Sequence, residues 1–162
     1  MALLLNSKVY FFDMNESRCT MDANRFSIGD LVRAKTVKWD YEDSDETPPM
    51  YIKKIDKKEV VLELGGIEHY AFIDDLQPIP ITTDFLLNNG FIDNKLGQYY
   101  CRVDNVKTIR CGELHPKQWL ITVDEVVGDN EYETHALNMK AKYIHELQHL
   151  VNDCKLTKEF KI

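Results

Sequence analysis

Apolar and polar positions alternate differently along the two halves of the chain. Between residues 28 and 80, short runs rich in β-branched and aromatic residues are separated by turn signals, the pattern of small antiparallel strands. Strands are expected over 28–34, entered through a Gly29-Asp30 turn, and over 50–55 and 59–64, joined around Asp56-Lys57-Lys58. A further strand over 68–73 follows Gly65-Gly66, and Asp74-Asp75-Leu76 reads as a short turn. Four or five short strands at this spacing predict an SH3-like barrel. Pro78 and Pro80 restrict their neighbours to extended geometry, so the stretch 77–80 reads as a stiff connector.

Beyond that connector, Thr82 or Thr83 is placed to cap a short helix over 84–89, with Gly90 just past its end. Strands are expected over 98–103 and 106–111, turning at Asp104-Asn105, and over 119–127, with 131–135 pairing back. No Gly or Pro occurs from 138 to 162, and Tyr143, Ile144, Leu147, Leu150, Val151 and Cys154 recur at helical spacing. That periodicity predicts an amphipathic helix over 139–154. The resulting fold class is α+β: an N-terminal SH3-like small β-barrel, then an antiparallel sheet with a short helix and a C-terminal helix. The expected division is an N-terminal extension over 1–20, a barrel module over 21–80 and an α+β module over 81–162. Met21 reads as a natural start, which would make 1–20 an upstream extension.

The terminal helix carries one string with chemical meaning, His145-Glu146-Leu147-Gln148-His149. It spells H-E-x-x-H, in which two histidines one turn apart bind zinc and the glutamate serves as general base. His145 and His149 are therefore the candidate metal ligands, and Glu146 the candidate catalytic base, of a zinc hydrolase. On a helical wheel, however, both histidines fall opposite the apolar stripe, beside Asn138, Lys142, Asn152 and Asp153. That neighbourhood predicts surface histidines. A catalytic zinc also takes a third protein ligand. Downstream the chain offers Asp153, Cys154 and Glu159; upstream it offers His69, Glu113, His115 and His135, none at a prescribed spacing. The pairs Asp74-Asp75 and Asp124-Glu125 are adjacent on extended chain, where neighbours face opposite ways, so neither predicts a shared acid–base role.

Charge narrows the remaining classes. The 162 residues carry a net charge of −7, and neither half is basic. This disfavours an affinity built on nucleic-acid phosphates. A local basic hairpin at Lys53, Lys54, Lys57 and Lys58 keeps a nucleic-acid-associated regulator as a further alternative. No apolar run reaches the length of a membrane span, and the short apolar start lacks a basic flank, so a cytoplasmic location is expected. Cys19, Cys101, Cys111 and Cys154 form no C-x-x-C pair, which suits a reducing compartment and argues against a zinc ribbon. Cys101 and Cys111 are expected as buried thiols.

Three blocks, in order, resemble a family of small uncharacterised proteins encoded in phages and prophages of gut anaerobes. They are Ile28-Gly29-Asp30-Leu31-Val32; Leu76-Gln77-Pro78-Ile79-Pro80-Ile81-Thr82 running into Phe85-Leu86-Leu87 and Gly90-Phe91; and Tyr143 through Leu150. The resemblance spans most of 21–155, and the middle block is the most specific. His145, Leu147 and Gln148 match it. Glu146 and His149 stand where glutamine and asparagine are typical, so the residues completing the zinc string are those outside the shared pattern. The resemblance implies an accessory protein of a phage or mobile element. The corresponding expectation is a non-catalytic module that binds an unknown protein partner. The acidic stretch 40–49, with Trp39, Tyr41, Asp43 and Asp45, is the candidate binding surface.

Overall fold

The structure is a computed structural model that describes residues 26–35, 47–126 and 132–161, as backbone alone at 126 and over 132–138. The expected extension over 1–20 and the candidate surface residues Trp39, Tyr41, Asp43 and Asp45 lie outside the described residues.

Two antiparallel five-stranded sheets follow one another along the chain. The first contains β1 (Leu31–Ala34), β2 (Met50–Asp56), β3 (Glu59–Leu64), β4 (Ile67–Phe72) and β5 (Leu76–Pro78), in the spatial order β4-β3-β2-β1-β5. Both hairpin turns are compact. Lys57 takes a φ of 49° between β2 and β3, while Gly65 and Gly66 take 59° and 84° between β3 and β4. Two consecutive positive φ values are what a type I′ hairpin turn needs, and glycine supplies them without strain. A 3-10 turn, Ile73–Asp75, leads into β5.

β5 returns beside β1, pairing Val32 with Pro78 and Ala34 with Leu76. The expected closed barrel does not form: among the described residues β4 and β5 are the two edges of an open sheet. The reason is local. β5 is only three residues long, the Leu76 N–H is taken by Ile73 O, and Pro78 has no N–H to offer. The chain then leaves for the second sheet through 79–82.

The second sheet contains β6 (Ile92–Asp93), β7 (Gln98–Arg102), β8 (Lys107–His115), β9 (Gln118–Val126) and β10 (Tyr132–Ala141), paired in sequence order. Helix α1 (Thr83–Asn88) precedes it; Thr82 Oγ1 accepts the Phe85 N–H at 3.1 Å, and Gly90 follows at φ 80°. Helix α2 (Ile144–Asp153) follows β10. It starts later than expected. Met139–Ala141 continue β10 and pair with Ile121, Leu120 and Trp119. Ile81 N–H then donates to Lys142 O and Ile144 N–H to Ile79 O, which holds the chain extended up to the helix. Long-range backbone pairing has overridden a local helical pattern. The turn between β7 and β8 is also wider than Asp104-Asn105: Val103 N–H bonds Lys107 O, and Asp104 Oδ1 accepts the N–H groups of Val106 and Lys107.

Each sheet has its own apolar cluster. Val32, Met50, Ile52, Val60 and Leu62 centre the first. Ile109, Ile121, Leu147, Leu150 and Phe160 centre the second, where α2 and the C-terminal tail cover one sheet face. β1 serves both: Val32 enters the first cluster, while Leu31, its neighbour, enters the second. No helix among the described residues is long and apolar enough to cross a membrane.

Leu147 has no exposure and sits centrally in the second cluster. Leu147→Ala is expected to cost about 2–5 kcal/mol, read as a lower urea midpoint with an unchanged denaturant slope.

Candidate functional site

The zinc string lies on the first two turns of α2, and each of its polar groups has a structural engagement or a buried position. Glu146 is the third helical residue. Its Oε2 accepts the N–H of Lys142 at 2.6 Å and that of Tyr143 at 3.0 Å. A carboxylate at this position satisfies donors exposed by the helix start and meets the positive end of the helix dipole. The same geometry removes Glu146 from the role of a base aimed at water, since the residue is buried and its carboxylate serves two backbone N–H groups.

The wheel-based expectation for the histidines is corrected by the packing. Over its first two turns, the side of α2 opposite its apolar stripe faces the turn that leads into β1, while Asn152 and Asp153 farther along are exposed. That turn runs from Ser27 to Asp30, with the Asp30 N–H donating to Ser27 O and Gly29 in the third position at φ 93°. Positive φ there is the requirement of a type II turn. Asp30, 2% exposed, accepts the Ser27 N–H on Oδ2 at 2.7 Å. His149 Nε2 lies 2.9 Å from Asp30 Oδ1 and 3.0 Å from Oδ2. Gln148 completes the joint: its Oε1 accepts the Leu31 N–H at 2.9 Å, and its Nε2 donates to Gly29 O at 3.0 Å. Burial raises the Asp30 pKa, opposed by the Ser27 N–H and by His149.

His145 is 1% exposed, and neither ring nitrogen has a hydrogen-bond partner among the described residues. Aromatic rings surround it: Tyr143 stacks at 5.9 Å, Phe26 lies at 5.0 Å and His149 meets it edge-on at 5.8 Å. Desolvation, reinforced by His149, pushes its pKa down to about 4, so the ring is neutral at physiological pH.

These residues do not fit a zinc centre. Glu146 is engaged by the backbone, His149 Nε2 by Asp30, and no group of three or more His, Cys, Asp or Glu among the described residues could hold a metal ion. Glu113 instead accepts the Lys117 N–H at 3.4 Å on the β8–β9 turn, and His115 is exposed beside it. The His135 side chain lies outside the described residues. Of the adjacent carboxylate pairs, Asp124 is buried against Arg110 in an ion pair. Cys101 and Cys111 are buried free thiols, and burial raises the Cys111 pKa.

The basic hairpin is partly neutralised by its own sheet. Lys53 Nζ contacts Glu63 at 3.3 Å and Glu68 at 2.8 Å.

A different feature stands open. A cleft of about 690 Å³ lies where the first sheet, α1 and the start of α2 meet. Pro49, Pro78, Pro80, Phe85 and Tyr143 give it apolar walls. Arg33, Lys35 and Lys161 are its charged residues, and no Asp or Glu among the described residues lines it. The C-terminal tail shapes one side. Asn89 exchanges hydrogen bonds with Lys161, donating to its carbonyl at 2.9 Å and accepting its N–H at 2.6 Å. Lys158 Nζ donates to Asn89 O at 2.6 Å, and Tyr51 of the first sheet donates to Phe160 O at 2.8 Å. Sequence reasoning missed Asp30, Gln148, Asn89 and the cleft. The proline pair and the Gly29-Asp30 turn were the available signals, but they indicate backbone shape rather than what packs against it.

No family model, curated protein or solved structure matches the chain, so the roles assigned to these residues rest on their geometry. Gln148→Ala leaves two backbone groups of the β1 turn without partners and is expected to cost roughly 1–3 kcal/mol; the exposed control Asn152→Ala should stay within about 0.5 kcal/mol in the same urea titration. His145 gives a pH dependence. Its unfolded pKa is near 6.5 and its folded pKa about 4, so between those values the unfolded chain binds more protons and stability falls as pH is lowered. The full loss amounts to about 3 kcal/mol. Asp30, with its pKa raised, acts in the opposite sense. Urea midpoints measured from pH 7 down to 4 should fall for the wild type and flatten for His145→Phe; parallel curves for the two proteins would assign the acid sensitivity elsewhere.

Proposed function

We propose that this chain is an accessory protein of a phage or mobile element that works as a non-catalytic protein-interaction module. The observation that carries the reading is the use made of the H-E-x-x-H residues. Glu146 holds the start of its own helix, His149 and Gln148 join that helix to the β1 turn, and His145 is enclosed by aromatic rings. The groups that would do chemistry are committed to architecture, whereas the cleft at the same junction offers an open mixed apolar and cationic surface. Concave surfaces of this size, lined by hydrophobic and aromatic groups with a few polar ones, are the usual binding sites of small folds.

We read the first sheet as SH3-like in its strand order, opened along one seam. The return of β5 beside β1 after a 3-10 turn supports that reading. The resemblance of the Ile28–Val32, Leu76–Phe91 and Tyr143–Leu150 blocks to phage- and prophage-encoded proteins supports the biological setting. The zinc-hydrolase alternative draws on the same string but lacks an accessible base, and the nucleic-acid alternative relies on a hairpin whose Lys53 is already paired.

The test has two parts. Untagged protein, equilibrated with zinc and then dialysed, is expected to hold no stoichiometric zinc by native mass spectrometry, and Glu146→Gln is expected to leave its behaviour unchanged. A protein partner captured by cross-linking is expected to form a defined complex when both components are purified. One zinc per chain together with peptidase activity abolished by Glu146→Gln would replace this reading with the hydrolase.

A further inference from the structure

We infer that the cleft between the first sheet and α1 is a docking groove for an extended acidic peptide segment of a partner protein. The inference rests on the protein-interaction reading and supplies its site and ligand class. Charge is the first reason. The chain as a whole carries −7, yet among the described residues the cleft is lined by three cationic side chains and no carboxylate. Lys35 and Lys161 are exposed, Arg33 is half-buried, and they come from β1 and from the tail. An acidic surface elsewhere with one cationic concavity steers an anionic ligand to that concavity and repels it from other faces.

The walls give the second reason. Pro49, Pro78 and Pro80, with the half-buried rings of Phe85 and Tyr143, form rigid apolar surface that loses little entropy on binding. A ligand that is only a small anion would leave this surface uncovered. A peptide carrying carboxylates and an apolar side chain would use both parts.

The backbone gives the third. The groove runs along β5, the edge of the first sheet, but that edge is poor in donors because Leu76 N–H serves Ile73 O and Pro78 has none. Strand addition is therefore not the mode of binding. Recognition falls to side chains, with Gln77, Asn88, Lys35 and Lys161 able to hydrogen-bond an extended chain laid across them. Asn89 is not among the contacting groups, since it is buried and its amide is spent on Phe85 O and on Lys161. It fixes the tail, and with it the position of Lys161.

The test uses the full chain and a fluorescein-labelled peptide of alternating glutamate, proline and phenylalanine, compared with the same peptide carrying lysine in place of glutamate. Saturable binding of the acidic peptide alone is expected, weakening as salt is raised. In NMR titrations the amide shifts should cluster at Lys35, Gln77, Phe85, Tyr143 and Lys161. The double variant Lys35→Glu/Lys161→Glu should weaken binding by roughly tenfold or more, and Lys35→Arg/Lys161→Arg should restore it. Both lysines are exposed, and unchanged melting of both variants would show that the fold is intact.

Absence of saturable binding, or shifts that map away from these residues, would overturn the groove. So would displacement of the peptide by a dT12 oligonucleotide acting at the same residues, which would make the ligand a nucleic acid. Binding that appears only after Asp40, Glu42, Asp43, Asp45 and Glu46 are neutralised would assign the groove to the chain's own acidic stretch instead. A captured partner whose affinity is indifferent to the lysine reversals would sink the groove while leaving the interaction reading intact. The absence of any partner would remove that reading itself.

Discussion

The joint between the β1 turn and helix α2 is the constraint on which the rest of the molecule depends. Asp30 is nearly inaccessible to water, and a carboxylate in that position is costly unless its oxygens are satisfied. Here they are satisfied from two sides: by the Ser27 N–H within the turn and by His149 across the joint. Gln148 adds a pair of bonds to backbone groups on either side of Asp30, one to Gly29 O and one from Leu31 N–H. Three consecutive residues, Gly29 to Leu31, are thus held by two adjacent residues of one helix. An apolar contact would tolerate sliding by a residue; this set of bonds does not, because a shift would strand buried polar groups on both partners. The polar joint sets register, and the apolar clusters beside it supply most of the stabilisation.

The consequence for β1 is that it is buried on both faces. Val32 packs into the first cluster and Leu31 into the second, next to the residue whose N–H Gln148 holds. A four-residue strand could not fix two sheets by packing alone. Its two ladders, to β2 and β5, anchor it in the first sheet, and the α2 joint anchors it to the second. The tail repeats the arrangement at the far side, where Tyr51 of the first sheet holds Phe160 O and Asn89 holds Lys161. The cleft is the space left between these two sets of attachments. Its walls come from β1, β5, α1, the start of α2 and the tail, so its shape follows from how the sheets are joined.

Much of the local structure was legible because it follows from local rules. Gly65-Gly66, the Thr82 cap and Gly90 declared themselves through the φ values and donors that turns and helix ends require, and β2, β3 and β4 fell within a residue of their expected positions, whereas β1 begins three residues later than expected and β5 occupies a stretch read as turn and connector. Three features were not legible, two of them because they depend on what a distant segment supplies. Met139–Ala141 look helical alone but find partners on β9. The barrel seam fails because β5 stops at Pro78. The histidine face of α2 looks solvated because periodicity sorts residues by type, and a polar side chain covered by a matching polar turn is indistinguishable from one covered by water. The structural role of Gln148 lies in its pair of bonds to the β1 turn.

The string His145–His149 is then understood as the sequence of a helix that must begin at a strand end and meet a second sheet at once. The position of Glu146 is that of a carboxylate that serves donors left by the helix start. The position of Gln148 is that of a side chain with one donor and one acceptor, needed because it faces a carbonyl and an N–H two residues apart. His149 faces a buried carboxylate, for which a ring N–H is a better match than an aliphatic group. Only His145 has no such demand, and the fold meets its two unpartnered nitrogens by keeping the ring neutral among Tyr143, Phe26 and His149. A phenylalanine of similar breadth would fill that position without the desolvation cost, which identifies His145 as the one member of the string that the architecture does not require to be polar.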